Sequence, residues 1–197
     1  MPTRERAGPA REPLPVVVLV GLMGAGKSTV GERLARRWGC DFFDLDREIE
    51  REAGLSVAEI FRREGETGFR SREAETTRRL RPVAPAVVAV GGGWMARPEL
   101  RDSWPGAVRV WLRVAPREAA RRLSGSGAGR PLLADGDAEE RLAALLAARL
   151  PAYGLAEYTV DASRRTPDEV ARVVADLLEA RSGRASGARP DDDMSET

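Results

Sequence analysis

The amino-acid sequence predicts an α/β protein of three layers, a five-stranded parallel sheet flanked by helices. Three observations carry that prediction. Short β-branched runs alternate with longer charged segments whose apolar residues fall at helical spacing. The runs Val16 to Val20 and Ala86 to Val90 have no polar interruption, as strands buried on both faces do. Glycine clusters follow both runs at once, at the strand ends where such sheets place their binding sites.

Each element can be justified in order. After the strand at Val16 to Val20, Ser28 to Trp38 reads as a helix with Val30, Leu34 and Trp38 on one face, and Gly39 stops it. Cys40 to Leu45 reads as a second strand, ending at Asp44 and Asp46. Residues 47 to 80 are charged and mostly helical, broken near Gly54 and from Gly65 to Gly68. The third strand, Ala86 to Val90, runs into Gly91-Gly92-Gly93. A helix is expected over Arg97 to Ser103, a fourth strand over Arg109 to Val114 and a helix over Pro116 to Leu123. Ser124 to Gly129 is rich in serine and glycine and is expected to move. Glu139 to Leu150 reads as a helix and Tyr158 to Asp161 as a fifth strand. The last helix runs to about Arg181, with Thr166 as N-cap, Pro167 at the first helical position and Glu169 completing a capping box. One domain over 16–181 is expected, with a lid at about 124–138. Loose tails are expected at 1–15 and 182–197.

Composition narrows the function. In 197 residues, 32 basic side chains nearly balance 31 acidic ones, and a net charge of +1 gives no electrostatic case for nucleic acid or a membrane surface. The arginines are interleaved with acids, which by default means solvated helix faces. Histidine is absent, so acid–base work falls to carboxylates and His-based metal sites are excluded. The single cysteine, Cys40, cannot form an intramolecular disulfide and fits a reducing cytoplasm. Met1 to Pro15 lacks an apolar stretch, so a tail is expected there rather than a signal peptide. No partner chain is called for, and a monomer is expected.

The chain's only lysine, Lys27, lies in Gly21-Leu22-Met23-Gly24-Ala25-Gly26-Lys27-Ser28. This is the pattern G-x-x-x-x-G-K-[ST], placed between a strand and a helix as a phosphate-binding loop requires. Average composition produces the bare pattern in roughly one chain in a hundred of this length, so the structural context counts. A plain glycine turn before a helix needs neither the lysine nor the serine. Backbone N–H groups of Gly24, Ala25, Gly26, Lys27, Ser28 and Thr29 would cradle phosphates, Lys27 would neutralise their charge and Ser28 would offer its hydroxyl to Mg²⁺.

Asp44 and Asp46 stand two apart at what reads as a strand end, so alternation points both to one side. One could hold the Mg²⁺ shell while the other orients or deprotonates a substrate hydroxyl. The same spacing also suits Asp46 as a simple helix cap.

The ordered set of motifs resembles the shikimate kinase family, in the nucleoside-monophosphate-kinase-like P-loop group. The matching residues are Gly21 to Ser28, Phe42 to Asp46, Ile60-Phe61, Gly68-Phe69-Arg70 with Arg72-Glu73, and Gly91 to Gly93. Arg130-Pro131-Leu132-Leu133 and Arg149 with Pro151 and Tyr153 follow. The resemblance covers nearly all of 16–180 and implies the strand order 2-3-1-4-5. It implies ATP-dependent phosphorylation of the shikimate 3-hydroxyl, with Asp46 as base. It assigns Arg70 and Arg149 to the substrate carboxylate, Phe61 and Phe69 to the ring, and Gly91, Gly92 and Gly93 to close approach of backbone to substrate. Arg130 would reach the transferring phosphate from the lid, and Arg122, Arg165 and Pro167 would lie near the adenine. Two departures stand out. Trp94 is larger than the family's residue after the glycines and is expected to alter the substrate-site wall, and the lid is unusually rich in glycine. A kinase of another hydroxy acid, such as gluconate, and a non-catalytic ATP-binding module are the rival readings.

Overall fold

The computed structural model describes residues 13–124 and 138–183. Arg130, nearly all of the expected lid and most of both expected tails lie outside the described residues. The strands are β1 (Val16–Val20), β2 (Asp41–Asp44), β3 (Ala86–Ala89), β4 (Val108–Arg113) and β5 (Tyr158–Asp161). They form one parallel sheet in the order β2-β3-β1-β4-β5, as the family resemblance implies. The helices are α1 (Lys27–Trp38), α2 (Leu45–Ala53), α3 (Val57–Arg79), α4 (Pro98–Arg101), α5 (Pro116–Ser124), α6 (Ala138–Tyr153) and α7 (Pro167–Arg181). Among the described residues, no helix is long and apolar enough to cross a membrane.

β1 is central, and Val17 to Val20 are fully buried, which is why it reads as an unbroken apolar run. In register, Leu19 pairs with Ala89, and Asp44 pairs with the same Ala89. Three strands therefore end at one level. Their C-terminal edge carries the Lys27 loop, the Asp44–Asp46 segment and the glycine triplet side by side.

Local signals end most elements where expected. Gly39 and Gly54 close α1 and α2 in the left-handed region, at φ 64° and 63°. Thr166 and Glu169 form the reciprocal capping box at the start of α7. α3 breaks at Gly65, whose φ 70° and ψ −173° are not helical. Two elements differ from expectation. The helix expected over 97–103 is a 3₁₀ turn at Trp94–Ala96 followed by the short α4. α6 continues through Pro151 to Tyr153, because a proline in the last turn forfeits one backbone bond without ending the helix.

Trp94 corrects a second expectation. It is fully buried, stacks on Trp104 at 5.4 Å and donates its indole N–H to the Thr77 hydroxyl at 3.1 Å. Thr77 in turn donates to the Glu73 carbonyl at 2.7 Å. The ring thus braces α3 from within the core and lines no substrate wall. Trp94→Ala should lower stability by about 4 kcal/mol, read by urea denaturation, through lost burial and an orphaned hydroxyl partner. A loss below about 1 kcal/mol would show that the site collapses around the cavity.

Candidate active site

The loop after β1 is shaped by glycine. Gly24 and Gly26 take φ 77° and 84°, and a Cβ on Gly24 would stand 2.8 Å from the Ala119 carbonyl oxygen. Gly26 is the N-cap of α1 and offers no side-chain cap, so the first N–H groups of the helix are left for an anion. The half-buried Lys27 folds back over the loop, its Nζ donating to the Gly21 and Leu22 carbonyls at 3.0 Å each. The ammonium is thereby held at the loop that would cradle phosphate.

A cleft of about 720 Å³ opens above this loop, lined by Gly24, Gly26, Lys27, Ser28 and Thr29. Another part of its wall is made by α5 and the segment entering α7. There Arg122 donates to the Ala162 carbonyl at 2.7 Å, and Arg165 to the Asp161 carbonyl at 2.9 Å; Pro167 lies beside them. Glu118 ties this part together. Bonds from Arg121 and Arg122 hold its carboxyl down to about 2. The residues expected at the adenine therefore line the same cleft as the loop.

A second chamber, about 370 Å³, lies next to the first. Phe61 and Phe69 stack at 4.7 Å on one side, and Arg70, Arg149 and the glycine triplet complete the wall. Ser28, Asp44 and Asp46 line both chambers. Of the expected substrate and nucleotide residues within the described residues, all but the buried Ala25 line one of two adjoining spaces.

The two aspartates are not strand neighbours. β2 ends at Asp44, which is the N-cap of α2 and accepts the Asp46 and Arg47 N–H groups at 3.1 and 3.4 Å. Asp46 lies in the first turn of α2. Both carboxylates still reach the shared wall, but helix capping rather than strand alternation puts them there. The residue that caps is Asp44, not Asp46.

The glycine triplet, which lines the second chamber, also makes room for side chains of the protein itself. A Cβ on Gly92 would meet Arg149 Nη1 at 2.8 Å, and one on Gly93 would meet the Arg70 guanidinium at 2.8 to 3.0 Å. A Cβ on Gly91 would meet Glu73 Oε1 at 2.6 Å. The nearest groups that the glycines admit are the protein's own long polar side chains. Gly93→Ala should therefore displace Arg70 and weaken anion binding without disturbing the helices, a split visible by calorimetric titration beside circular dichroism.

Two functional neighbours carried no assigned role in the sequence. Glu73 is fully buried and holds Arg70 Nη1 at 2.9 Å. Burial pushes its carboxyl above the usual range; Arg70 opposes the shift, Asp46 adds to it and Arg97 opposes it. Tyr153, also buried, donates to the Gly92 carbonyl at 2.7 Å and stacks on Trp111 at 5.5 Å. The spacing of Glu73 three after Arg70, and of Tyr153 four after Arg149, placed each pair on one helix face.

Comparison with known proteins agrees with this geometry. A family model described as Shikimate kinase matches residues 23–179. A shikimate kinase of Thermobifida fusca is 45% identical over 167 residues, which span 84% of this chain and 96% of that protein. A solved shikimate kinase from Acinetobacter baumannii, in complex with shikimate, superposes with a TM-score of 0.79. It is 35% identical and covers 85% of this chain and 94% of its own. A gluconokinase from Sinorhizobium meliloti has a TM-score of 0.52 at 20% identity, covering 88% and 96%, and shares the fold alone. By the family match over residues 23–179 and by identities of 45% and 35% across most of its length, the chain belongs to the shikimate kinases.

Proposed function

We propose that this protein transfers the γ-phosphoryl group of ATP to the 3-hydroxyl of shikimate, on the route to chorismate and the aromatic amino acids. One observation carries the reading beyond family membership: Ser28, Asp44 and Asp46 stand on the wall common to a phosphate-loop cleft and an arginine-lined chamber. A nucleotide in the first and a hydroxy acid in the second would meet at that wall. One domain over 16–181 carries the activity, as a monomer. The near-neutral charge gives no reason to add nucleic acid or a membrane as partner, and the lone cysteine suits the cytoplasm.

The chemistry is positioning and charge stabilisation. Loop N–H groups and Lys27 bind the phosphates, and Arg122, Arg165 and Pro167 flank the adenine. Arg70 and Arg149 bind the carboxylate of shikimate through their planar forks, and Phe61 and Phe69 pack on its ring. Gly91, Gly92 and Gly93 leave both arginines room. Asp46 aligns the attacking hydroxyl and takes its proton. Arg130 meets the transferring phosphate from the segment outside the described residues. Mg²⁺ fits the donor set at the shared wall, with the Ser28 hydroxyl and the Asp44 carboxylate as its protein ligands. Among the described residues, no group of three acidic or thiol side chains could hold a metal by itself, so the ion would need ligands from the bound nucleotide and solvent as well. An ion held there by Ser28 and Asp44 would supply charge neutralisation to the phosphates.

Coupled measurement of ADP release with shikimate, gluconate or no acceptor tests the reading. Release is expected only with shikimate. Equal release with gluconate, or release independent of acceptor, would overturn it. Replacing Arg70 or Arg149 by Lys keeps charge but loses the fork, so KM for shikimate should rise about tenfold while KM for ATP changes little. Shikimate carboxamide should bind wild type poorly and should distinguish it from Arg70→Ala much less than shikimate does. Equal binding of amide and acid by wild type would refute the carboxylate assignment.

A further inference from the structure

We propose that Arg97 is a positioning residue for Arg70. It supplies a second cation to the buried Glu73 carboxylate and pins the Arg70 backbone, so that the Arg70 guanidinium can serve the substrate anion. The inference rests on the function proposed above and adds a residue that touches no substrate.

Arg97 lies four residues after the glycine triplet, between the 3₁₀ turn and α4. It lines neither chamber. Its Nη1 crosses to α3 and donates to the Arg70 carbonyl at 2.9 Å, while the same nitrogen stands 3.7 Å from Glu73 Oε2. Its Nε donates outward to Glu99 at 2.8 Å. The guanidinium is therefore divided, one edge on a surface acid and one on the inner cluster. A solvated surface arginine has no reason to close on a backbone carbonyl 27 positions away.

Charge counting explains why the cluster needs it. Arg70 faces Glu73 at 2.9 Å and Glu66 at 3.2 Å before any substrate arrives. Asp46, from α2, also acts on Glu73 and repels it. A substrate carboxylate adds one more anion to the same guanidinium. With Arg70 as its sole cation, the fully buried Glu73 would compete with substrate for that fork. Arg97 lies on the Glu73 oxygen that Arg70 also holds, so the buried carboxylate keeps a partner when Arg70 turns to the substrate. Gly93 gives the Arg70 guanidinium room on the side facing the glycine triplet.

The test is steady-state kinetics of wild type, Arg97→Ala, Arg97→Lys and Arg97→Gln, with shikimate and ATP varied separately. Arg97→Ala should raise KM for shikimate about tenfold and leave kcat and KM for ATP within about twofold. Lysine should recover most of the loss, because its ammonium supplies both the charge and a donor. Glutamine supplies a donor without charge and should stay close to alanine. A shikimate KM within about twofold of wild type in Arg97→Ala, or a fall confined to kcat, would overturn the proposal. So would rescue by glutamine equal to that by lysine. If alanine at this position prevents folding, the lysine–glutamine comparison still decides. Wild type that does not phosphorylate shikimate would overturn the substrate reading and this inference with it. Wild-type turnover beside an unchanged KM in the variants would overturn this inference alone.

Discussion

Lys27→Ala should lower kcat by about 10²- to 10³-fold or more, while the protein keeps its fold. The ammonium is the only lysine charge in the chain and is tethered to the Gly21 and Leu22 carbonyls at 3.0 Å. Those bonds hold it over the loop that would receive phosphate, so little reorganisation is needed when charge moves onto the γ-oxygens. Alanine removes that charge and leaves the loop's glycine geometry in place. Gly24 and Gly26, not Lys27, set the turn, through φ values of 77° and 84°. The thermal midpoint should therefore move by only a few degrees, since two backbone acceptors at a half-buried position regain water. Single-turnover phosphoryl transfer, followed beside a melting curve, separates the two effects. Turnover within about threefold of wild type would remove Lys27 from the chemistry.

Asp46→Asn should lower kcat by about 10²- to 10⁴-fold and leave ATP affinity nearly unchanged. The amide preserves shape in the first turn of α2 but can neither accept a proton nor hold charge beside the hydroxyl. Asp44→Asn provides the contrast. Asparagine caps helices about as well as aspartate, so the bonds to the Asp46 and Arg47 N–H groups survive and only charge is lost. That variant should need more Mg²⁺ for half-maximal activity. Titrating the ion in both variants decides the division of labour, and identical Mg²⁺ dependence would refute it.

The reasons some of this was legible in the sequence, and some not, lie in particular residues. β1 is buried on both faces, and such a strand leaves a continuous apolar run. The capping box of α7 and the stops at Gly39 and Gly54 are local signals, complete within a few residues. Strand alternation misplaces Asp46 because it does not hold past the end of β2 at Asp44. The true boundary is set by the Asp44 side chain, which starts a helix at the next residue. α6 outran its expected end because Pro151 reads as a stop, although it falls in the final turn. Trp94 and Glu73 depend on tertiary packing. A large ring after three glycines could face either side of the loop, and an acid within a charged helix reads as solvated until neighbouring elements bury it. The glycine triplet was legible as a place of close approach. What approaches it is decided by α3 and α6, distant in sequence.

That packing binds separate stretches of chain into matched sets. At Gly92 and Gly93 an added methyl would overlap Arg149 and Arg70, and at Gly91 it would overlap Glu73. Neither member of such a pair can change freely while its partner stays. A library randomised at position 93 alone should return almost only glycine under selection for activity. Randomising 70 and 93 together should still return glycine at 93 beside arginine at 70, because a shorter residue at 70 makes room for alanine or serine at 93 but gives up the grip on the acid. The molecule is thus confined to a narrow ridge of sequence space, where drift in one segment waits on a compensating change elsewhere.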